Sequence, residues 1–486
     1  MATPPATAPA LLWFRRDLRL ADNPALHAAV RSGRPLVCVY VRDRESGHRY
    51  SPGSASDWWL HHSLTSLSAD LRKRGGQPIA LIEGDPEVAI PELAQKLGAA
   101  EVFWNQTGWP CQNARDSRIA DTLKDDGIKP RGFRGVTLVH PPELLNGSGK
   151  PYKVFSAFWR AALKELAPKD ALPAPDSLPD GPDCDGATLE DWGLLPSKPN
   201  WAKEFAERWT PGEAAARKQL DAFLKDDLAD YPTHRDRPDL DETSRLSPHL
   251  AWGEISPRTV WHRVKLQAEG SGQFKAADKY LAEIGWRDFA YYLAWHFEDL
   301  RTINFNRDFD HFPWRDHAEG LQAWKEGRTG VPMVDAAMRQ LWVTGWMHNR
   351  TRMIAASYLI KHIGCDWREG MRWFEDTLVD ADPMVNAASW QWVAGSGADA
   401  APYFRIFNPA SQGEKFDPDG KYVRQWVEEL RDVPTRHIHA PWEASEGELV
   451  RAGVTLGKTY PKPVVDLKTG RERALEAYQE MKEAAA

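Results

Sequence analysis

Between residues 10 and 135 short apolar runs alternate with amphipathic stretches, and this alternation limits the fold more than any other feature of the chain. ALLWF, PLVCVYV, PIALIEG and EVFWN have the length and the β-branched or aromatic content of buried strands. The stretches between and after them, NPALHAAVRSG, SDWWLHHSLTSLSADLRKRGG, DPEVAIPELAQKLG and NARDSRIADTLKDDG, read as helices. Apolar strands separated by helices require a parallel sheet covered on both faces, so residues 8–135 are expected to form a doubly wound α/β domain. The first strand is followed by RRDLRL rather than GxGxxG, which removes the usual dinucleotide fingerprint.

From about residue 165 to 200 the chain turns to Pro, Asp, Gly and Ser (LAPKDALPAPDSLPDGPDCDG), residues that break periodicity and bury little. An interdomain linker is expected over 136–205. Apolar residues then return at spacings of three and four, which predicts an all-α domain over 206–475, and RERALEAYQEMKEAAA closes the chain as a surface helix. No uninterrupted apolar run approaches the ~20 residues that span a bilayer. MATPPATAPA has neither the basic nor the apolar part of a secretory signal, so a cytoplasmic location is expected. Cys38, Cys111, Cys184 and Cys365 are too scattered for a zinc or iron–sulfur site and read as free thiols, with no metal expected. A net charge of −7 means that any nucleic-acid contact has to come from a local basic patch. Most of the 23 tryptophans fall after residue 190; they are core packing, stacking platforms or an electron path.

Four constellations carry chemistry. In TSRLSPHLAWGEISPR, Thr243, Ser244, Arg245 and Ser247 stand at the start of a predicted helix, where unpaired N–H groups attract anions; a plain helix cap is the alternative. In AEIGWRDFAYYLAW, Glu283, Trp286 and Arg287 share a helical face and suit a flat heterocycle, or else a salt-bridged surface with a core indole. In GWMHNRTRMIAASYL, Asn349 and Met353 are one turn apart, with Arg350 and Arg352 beside them; an amide reads base edges and a guanidinium binds phosphate. In LVDADPMVNAASWQWV, Asp380 and Asp382 precede Asn386, Trp390 and Trp392, and hydrogen bonding to a cofactor or a turn explains the acids better than a metal. GSGK at 147–150 lacks the P-loop spacing, and His61 and His62 sit in an amphipathic helix.

The order of LLWFRRDLRLADNPAL, TSRLSPHLAWGEISPR, GWMHNRTRMIAAS, DWREG, NAASWQWVAGSGADAAPYFRIFNP and QGEKFD resembles the photolyase/cryptochrome family over about residues 10–470. The resemblance implies FAD held in the helical domain. Tyr231, Thr243, Ser244, Arg245, Leu246 and Ser247 would hold its phosphates and ribityl chain, and Arg287, Asn349, Arg352, Asp380 and Asp382 would surround the flavin. Asn386 would face the flavin N5 atom, where plant cryptochromes carry Asp; an uncharged amide suits the reduced anionic flavin that repair requires.

The substrate follows in the same way. Members acting on (6-4) lesions carry His where Asn349 and Met353 stand, and DASH members usually have Gln for Met353 and Tyr for Trp392. Glu283, Trp286, Asn349, Met353 and Trp392 here match the members that split cyclobutane pyrimidine dimers in DNA. Trp286 and Trp392 would stack on the extruded lesion, and Glu283 and Asn349 would hydrogen-bond it. Trp390, Trp367 and Trp314 match the family's electron relay, with Trp342 and Trp373 as candidates for another branch; core packing explains each one singly as well. Arg350, Gln412 and Lys415 would contact the DNA backbone. Cys111-Gln112 replaces the Asn-Glu pair that holds folate in one bacterial branch, whereas Glu143 aligns with the folate-holding acid of DASH members. Methenyltetrahydrofolate is therefore the expected antenna, with a deazaflavin second. The expectation is a monomeric repair enzyme acting on UV-damaged DNA. The alternatives are a cryptochrome photoreceptor, disfavoured by Asn386, and a dark flavin oxidoreductase, disfavoured by the missing fingerprint.

Overall fold

The computed structural model describes residues 7–43, 53–166, 168–297, 299–400 and 404–485. Strands β1 (Ala10–Phe14), β2 (Leu36–Arg42), β3 (Ala80–Glu83), β4 (Glu101–Asn105) and β5 (Lys129–Phe133) form a parallel sheet of order β3-β2-β1-β4-β5. Helices α1 (Pro24–Arg31), α2 (Ser54–Lys73), α3 (Pro86–Lys96) and α4 (Pro110–Asp125) cover it. Alternation along β1 sends Ala10, Leu12 and Phe14 into one core and Leu11 and Trp13 into the other. The expected doubly wound domain is present. Its fifth strand, KPRGF, carries Pro, Gly and two cations, which suit an exposed edge and hide the strand from a pattern search.

The rest is mostly helical: α5 (Phe155–Glu165), α6 (Phe205–Arg208), α7 (Glu213–Asp226), α8 (Tyr231–His234), α9 (Ser247–Ala251) and α10 (Pro257–Ser271) come first. The long α11 (Phe274–His296), then α12 (Ala318–Lys325), α13 (Pro332–Thr344), α14 (Asn349–Ser357), α15 (Trp367–Thr377) and α16 (Pro383–Ala394) build the main core. α17 (Pro409–Phe416), α18 (Lys421–Trp426), α19 (Glu446–Arg451) and α20 (Leu467–Ala485) finish the chain. Residues 136–205 differ from a bland linker, because α5 buries Phe158 and Ala162 against Phe289 and Tyr292 of α11. Its flanks carry the Pro-rich composition; the helix itself keeps apolar residues at helical spacing. No helix among the described residues is long and apolar enough to cross a membrane, and no cluster of His, Cys, Asp or Glu among them could hold a metal ion.

RRDLRL, standing where a phosphate loop was absent, joins the two halves. Leu18 N–H donates to Trp252 O at 3.2 Å, Arg19 Nη1 donates to Gly253 O at 2.8 Å, and the Arg16 guanidinium lies 3.8 Å from the Trp252 ring centroid. Arg258 pairs with Asp22 across the same junction. Gly253 has φ +68°, and a Cβ there would stand 2.0 Å from Arg16 O, backbone against backbone. Gly253→Ala is expected to lower stability by about 2–3 kcal/mol through left-handed strain and overpacking, measured by denaturant unfolding. A change below about 0.5 kcal/mol would contradict so tight a junction.

Candidate functional site

Eight of the residues singled out from the sequence, Tyr231, Ser244, Arg245, Ser247, Arg287, Arg352, Asp380 and Asp382, lie along one circuit of contacts. Tyr231, at the start of α8, packs edge-on against Tyr280 of α11 with ring centroids 5.2 Å apart, and the Ser244 hydroxyl neighbours that of Tyr280. The 243–247 loop reaches α14 through Trp346, whose Nε1 donates to Ser247 Oγ at 3.3 Å and whose ring faces both Arg245 and Arg352. Arg352 of α14 donates from Nη1 and Nη2 to the two oxygens of Asp380, at 3.1 and 2.7 Å. Asp382, two residues on, caps α16 by accepting from Met384 N and Val385 N. It also accepts from Tyr291 Oη at 2.6 Å, and Arg287 covers Tyr291, which returns the circuit to α11.

The polar groups around this circuit are shielded but not exhausted. Arg245 and Arg287 each keep a solvent-inaccessible Nε without a hydrogen-bond partner. Arg245 holds φ +48°, a conformation rarely adopted outside Gly, Asn and Asp. Asn386, one turn beyond Asp382, donates from Nδ2 to Met371 O at 3.0 Å, which turns its amide oxygen away from α15. His348 Nδ1 accepts from Arg350 N at 3.1 Å, so the ring proton resides on Nε2, which is buried and unpartnered. Burial lowers His348 to about 3, keeping it neutral.

A second group borders the first. Glu283, one turn before Arg287 on α11, is bound by the Arg235 guanidinium, and Arg350 pairs with Asp236 at 2.9 Å. Trp286 is half-buried, with Phe155 stacked on it at a centroid distance of 3.8 Å. Asn349 and Met353 occupy α14, the first exposed and the second half-buried. Trp392, at the end of α16, is also half-buried. Arg350 and Lys415 both lie over the Phe416 ring, at 4.3 and 5.1 Å, on the helix that carries Gln412. The three residues expected at a DNA backbone are thereby brought together.

Trp390 and Trp367 are buried and Trp314 is partly buried. Trp390 packs directly on Gly370 of α15, where an added Cβ would come within 2.0 Å of its ring, and Trp367 Nε1 donates to Asn304 Oδ1 at 3.0 Å. Trp342 and Trp373 are parallel to within 4° at 6.2 Å. Glu143 lies exposed, away from the circuit's contacts, held by Arg134 at 2.7 Å and close to His140. Cys111 is exposed and Gln112 half-buried in the first turn of α4.

Sequence reasoning missed Arg235, Asp236, Tyr291 and Trp346. Tyr291 follows Arg287 by four residues and Trp346 lies inside the GWMHNR run, so both were within reach of a helical-face search. Arg235 and Asp236 stand in a stretch without periodicity. Asp288, next to Arg287, was missed too. Complete burial raises its carboxyl to about 7, against the pull of Arg287 and of the Val139 and Leu138 N–H donors. From near 4 up to about 7 the folded protein keeps a proton that the unfolded chain has lost, so this group erodes stability as pH rises through that window. Asp288→Asn keeps an acceptor without the charge. Its stability relative to the parent is expected to improve by on the order of 2 kcal/mol between pH 4 and pH 8, by denaturant unfolding at each pH; a pH-independent difference would contradict this.

Residues 10–176 match the family model for DNA photolyase, and residues 280–480 match that for the FAD binding domain of DNA photolyase. A deoxyribodipyrimidine photo-lyase of Agrobacterium fabrum is 50% identical over 98% of both chains. Cryptochrome-1 of Arabidopsis thaliana is 37% identical over 97% of this chain and 70% of its own length. The crystal structure of a bacterial class III photolyase from Agrobacterium tumefaciens superposes with a TM-score of 0.94 at 50% identity, covering 98% of each chain. With half of all positions shared along nearly the whole length and the same backbone beneath them, the chain belongs to the photolyase/cryptochrome family.

Proposed function

We propose that this chain is a light-driven DNA repair enzyme that splits cyclobutane pyrimidine dimers, with FAD in its helical half. The observation that carries the reading is the circuit from Tyr231 to Arg287, in which Arg245 and Arg287 retain shielded, unpartnered Nε donors beside a second group rich in indole, carboxylate and amide. That donor set fits a dinucleotide. The Thr243–Ser247 loop with Arg245 supplies hydroxyls and a cation for phosphates, and Arg287, Asn349, Arg352, Asp380 and Asp382 supply polar contacts for the rest. Bound in its reduced form, FAD would supply on absorbing light the electron that starts opening of the cyclobutane ring and would recover it once the ring is open, with no net redox change.

The chain's own residues do the remaining work. Trp286 and Trp392 offer stacking surfaces worth ~1–3 kcal/mol per base, offsetting the few kcal/mol lost on extrusion; a lesion already poorly stacked pays least. Glu283, oriented by Arg235, and Asn349 hydrogen-bond the polar edge of the dimer, with Met353 beside them. Asn386 presents an amide oxygen and no charge toward the flavin, since its nitrogen is committed to Met371. Trp390, Trp367 and Trp314 serve as the path for an electron entering from the surface, with Trp373 and Trp342 as a second branch. Arg350, Gln412 and Lys415 neutralise backbone phosphate, so affinity weakens with salt.

Residues 8–135 are read as the antenna domain and 206–475 as the catalytic domain, with α5 packed on the latter. For the antenna we favour methenyltetrahydrofolate, supported by the surface carboxylate of Glu143, over a deazaflavin; the absorption spectrum of chromophore released on denaturation separates them. The enzyme is taken to act as a monomer. Dark equilibrium binding tests the substrate assignment. The holoenzyme is expected to prefer an oligonucleotide carrying one dimer over its undamaged counterpart by about 10³-fold or more, with both affinities falling as salt rises. Equal affinity for the two would count against the assignment.

A further inference from the structure

Trp286 and Trp392 stand on helices far apart in sequence, yet a single residue hydrogen-bonds both Trp392 and the phenylalanine stacked on Trp286. Phe155 stacks on Trp286 with planes 11° from parallel. Its backbone N–H, at the first position of α5, donates to Asp399 Oδ2 at 3.1 Å. Trp392 Nε1 donates to the main-chain oxygen of the same Asp399, also at 3.1 Å. Val154 at the start of α5 provides no side-chain cap, so the carboxylate of Asp399 takes that place from a distant part of the chain. Asp399 holds φ +55°, a left-handed conformation that Asp and Asn tolerate and most other side chains do not.

We propose that Asp399 is a positioning residue that sets the spacing between the two indoles and so selects a covalently joined base pair over ordinary bases. The proposal rests on the reading that Trp286 and Trp392 receive the lesion. One wall is tied through the side chain of Asp399 and Phe155, the other through its carbonyl, so the relative placement of the walls passes through one residue. A cross-linked dimer is rigid and cannot adjust to a slot of the wrong width, whereas undamaged single-stranded bases adapt. Disturbing the tether therefore affects discrimination more than general DNA affinity.

Three variants of the holoenzyme separate the elements of the argument. Asp399→Asn keeps both the acceptor and the tolerance of positive φ. Asp399→Gly keeps the backbone free but removes the acceptor. Asp399→Ala removes the acceptor and adds strain. In dark binding to dimer-containing and undamaged oligonucleotides, Asp399→Gly is expected to lose about fivefold to tenfold in lesion affinity, with undamaged-DNA affinity and flavin content unchanged. Asp399→Ala should lose at least as much, and Asp399→Asn should stay within about twofold of the parent. Full lesion affinity in Asp399→Gly overturns the proposal. An equal fall for both oligonucleotides, or loss of flavin, also overturns it, because it indicates general disruption. A fall in Asp399→Asn as large as in Asp399→Gly overturns it as well, since charge rather than the tether would be responsible. A parent protein without lesion preference would instead overturn the reading of the pocket, and that is seen before any substitution is made.

Discussion

Arg352→Ala is expected to abolish flavin retention and to lower folding stability by about 3–5 kcal/mol. Arg352 gives two hydrogen bonds to Asp380 and a third, from Nε, to Met347 O at 2.7 Å. The Asp380 side chain is only 2% exposed, so without the guanidinium it is a buried charge that has lost both of these hydrogen bonds. Breaking one side of such a pair is far more harmful than replacing both sides, because the remaining ion keeps its desolvation cost. The double variant Arg352→Met with Asp380→Asn is therefore expected to recover most of the stability while remaining unable to hold FAD. Unfolding midpoints and the flavin-to-protein absorbance ratio read the two effects separately. Full flavin occupancy in Arg352→Ala would place the cofactor elsewhere.

Glu283→Ala is expected to reduce discrimination between lesion and undamaged DNA by about tenfold or more while leaving FAD bound. Two effects act in the same direction. The dimer loses a hydrogen-bonding partner, and Arg235, now without its Glu283 contact, adds positive charge that raises affinity for any phosphate backbone. Glu283→Gln keeps the hydrogen bond but not the charge and should fall between the parent and the alanine variant. Paired dissociation constants with flavin content check this. Flavin loss with unchanged discrimination would move Glu283 from the lesion pocket to the cofactor wall.

The fold was legible wherever burial imposed periodicity. The first four strands show as apolar runs because both faces of the sheet are covered, whereas Lys129–Phe133 lies at the edge and its Pro and Gly resemble a turn. α5 escaped notice inside 136–205 because a short helix between Pro-rich flanks leaves little pattern, although Phe158 and Ala162 are fully buried. Within the site, residues sharing a helical face, such as Glu283, Trp286 and Arg287, could be grouped from spacing alone. Pairs formed by tertiary contact could not. Nothing in the chain links Arg235 to Glu283, Trp346 to Ser247, or Asp399 to Phe155 until the helices pack. The motifs showed which residues belong together; only the folded chain shows what orients them.

Illumination of the reduced holoenzyme with blue light, in the presence of an oligonucleotide bearing one thymine dimer, tests the central claim most directly. Absorbance of intact thymine should recover to completion over repeated turnovers, with none in the dark and none when Trp286 and Trp392 are both replaced by alanine. An unchanged spectrum under light, with the flavin verified as reduced and the DNA verified as bound, would contradict repair and turn the reading toward a cryptochrome-type receptor.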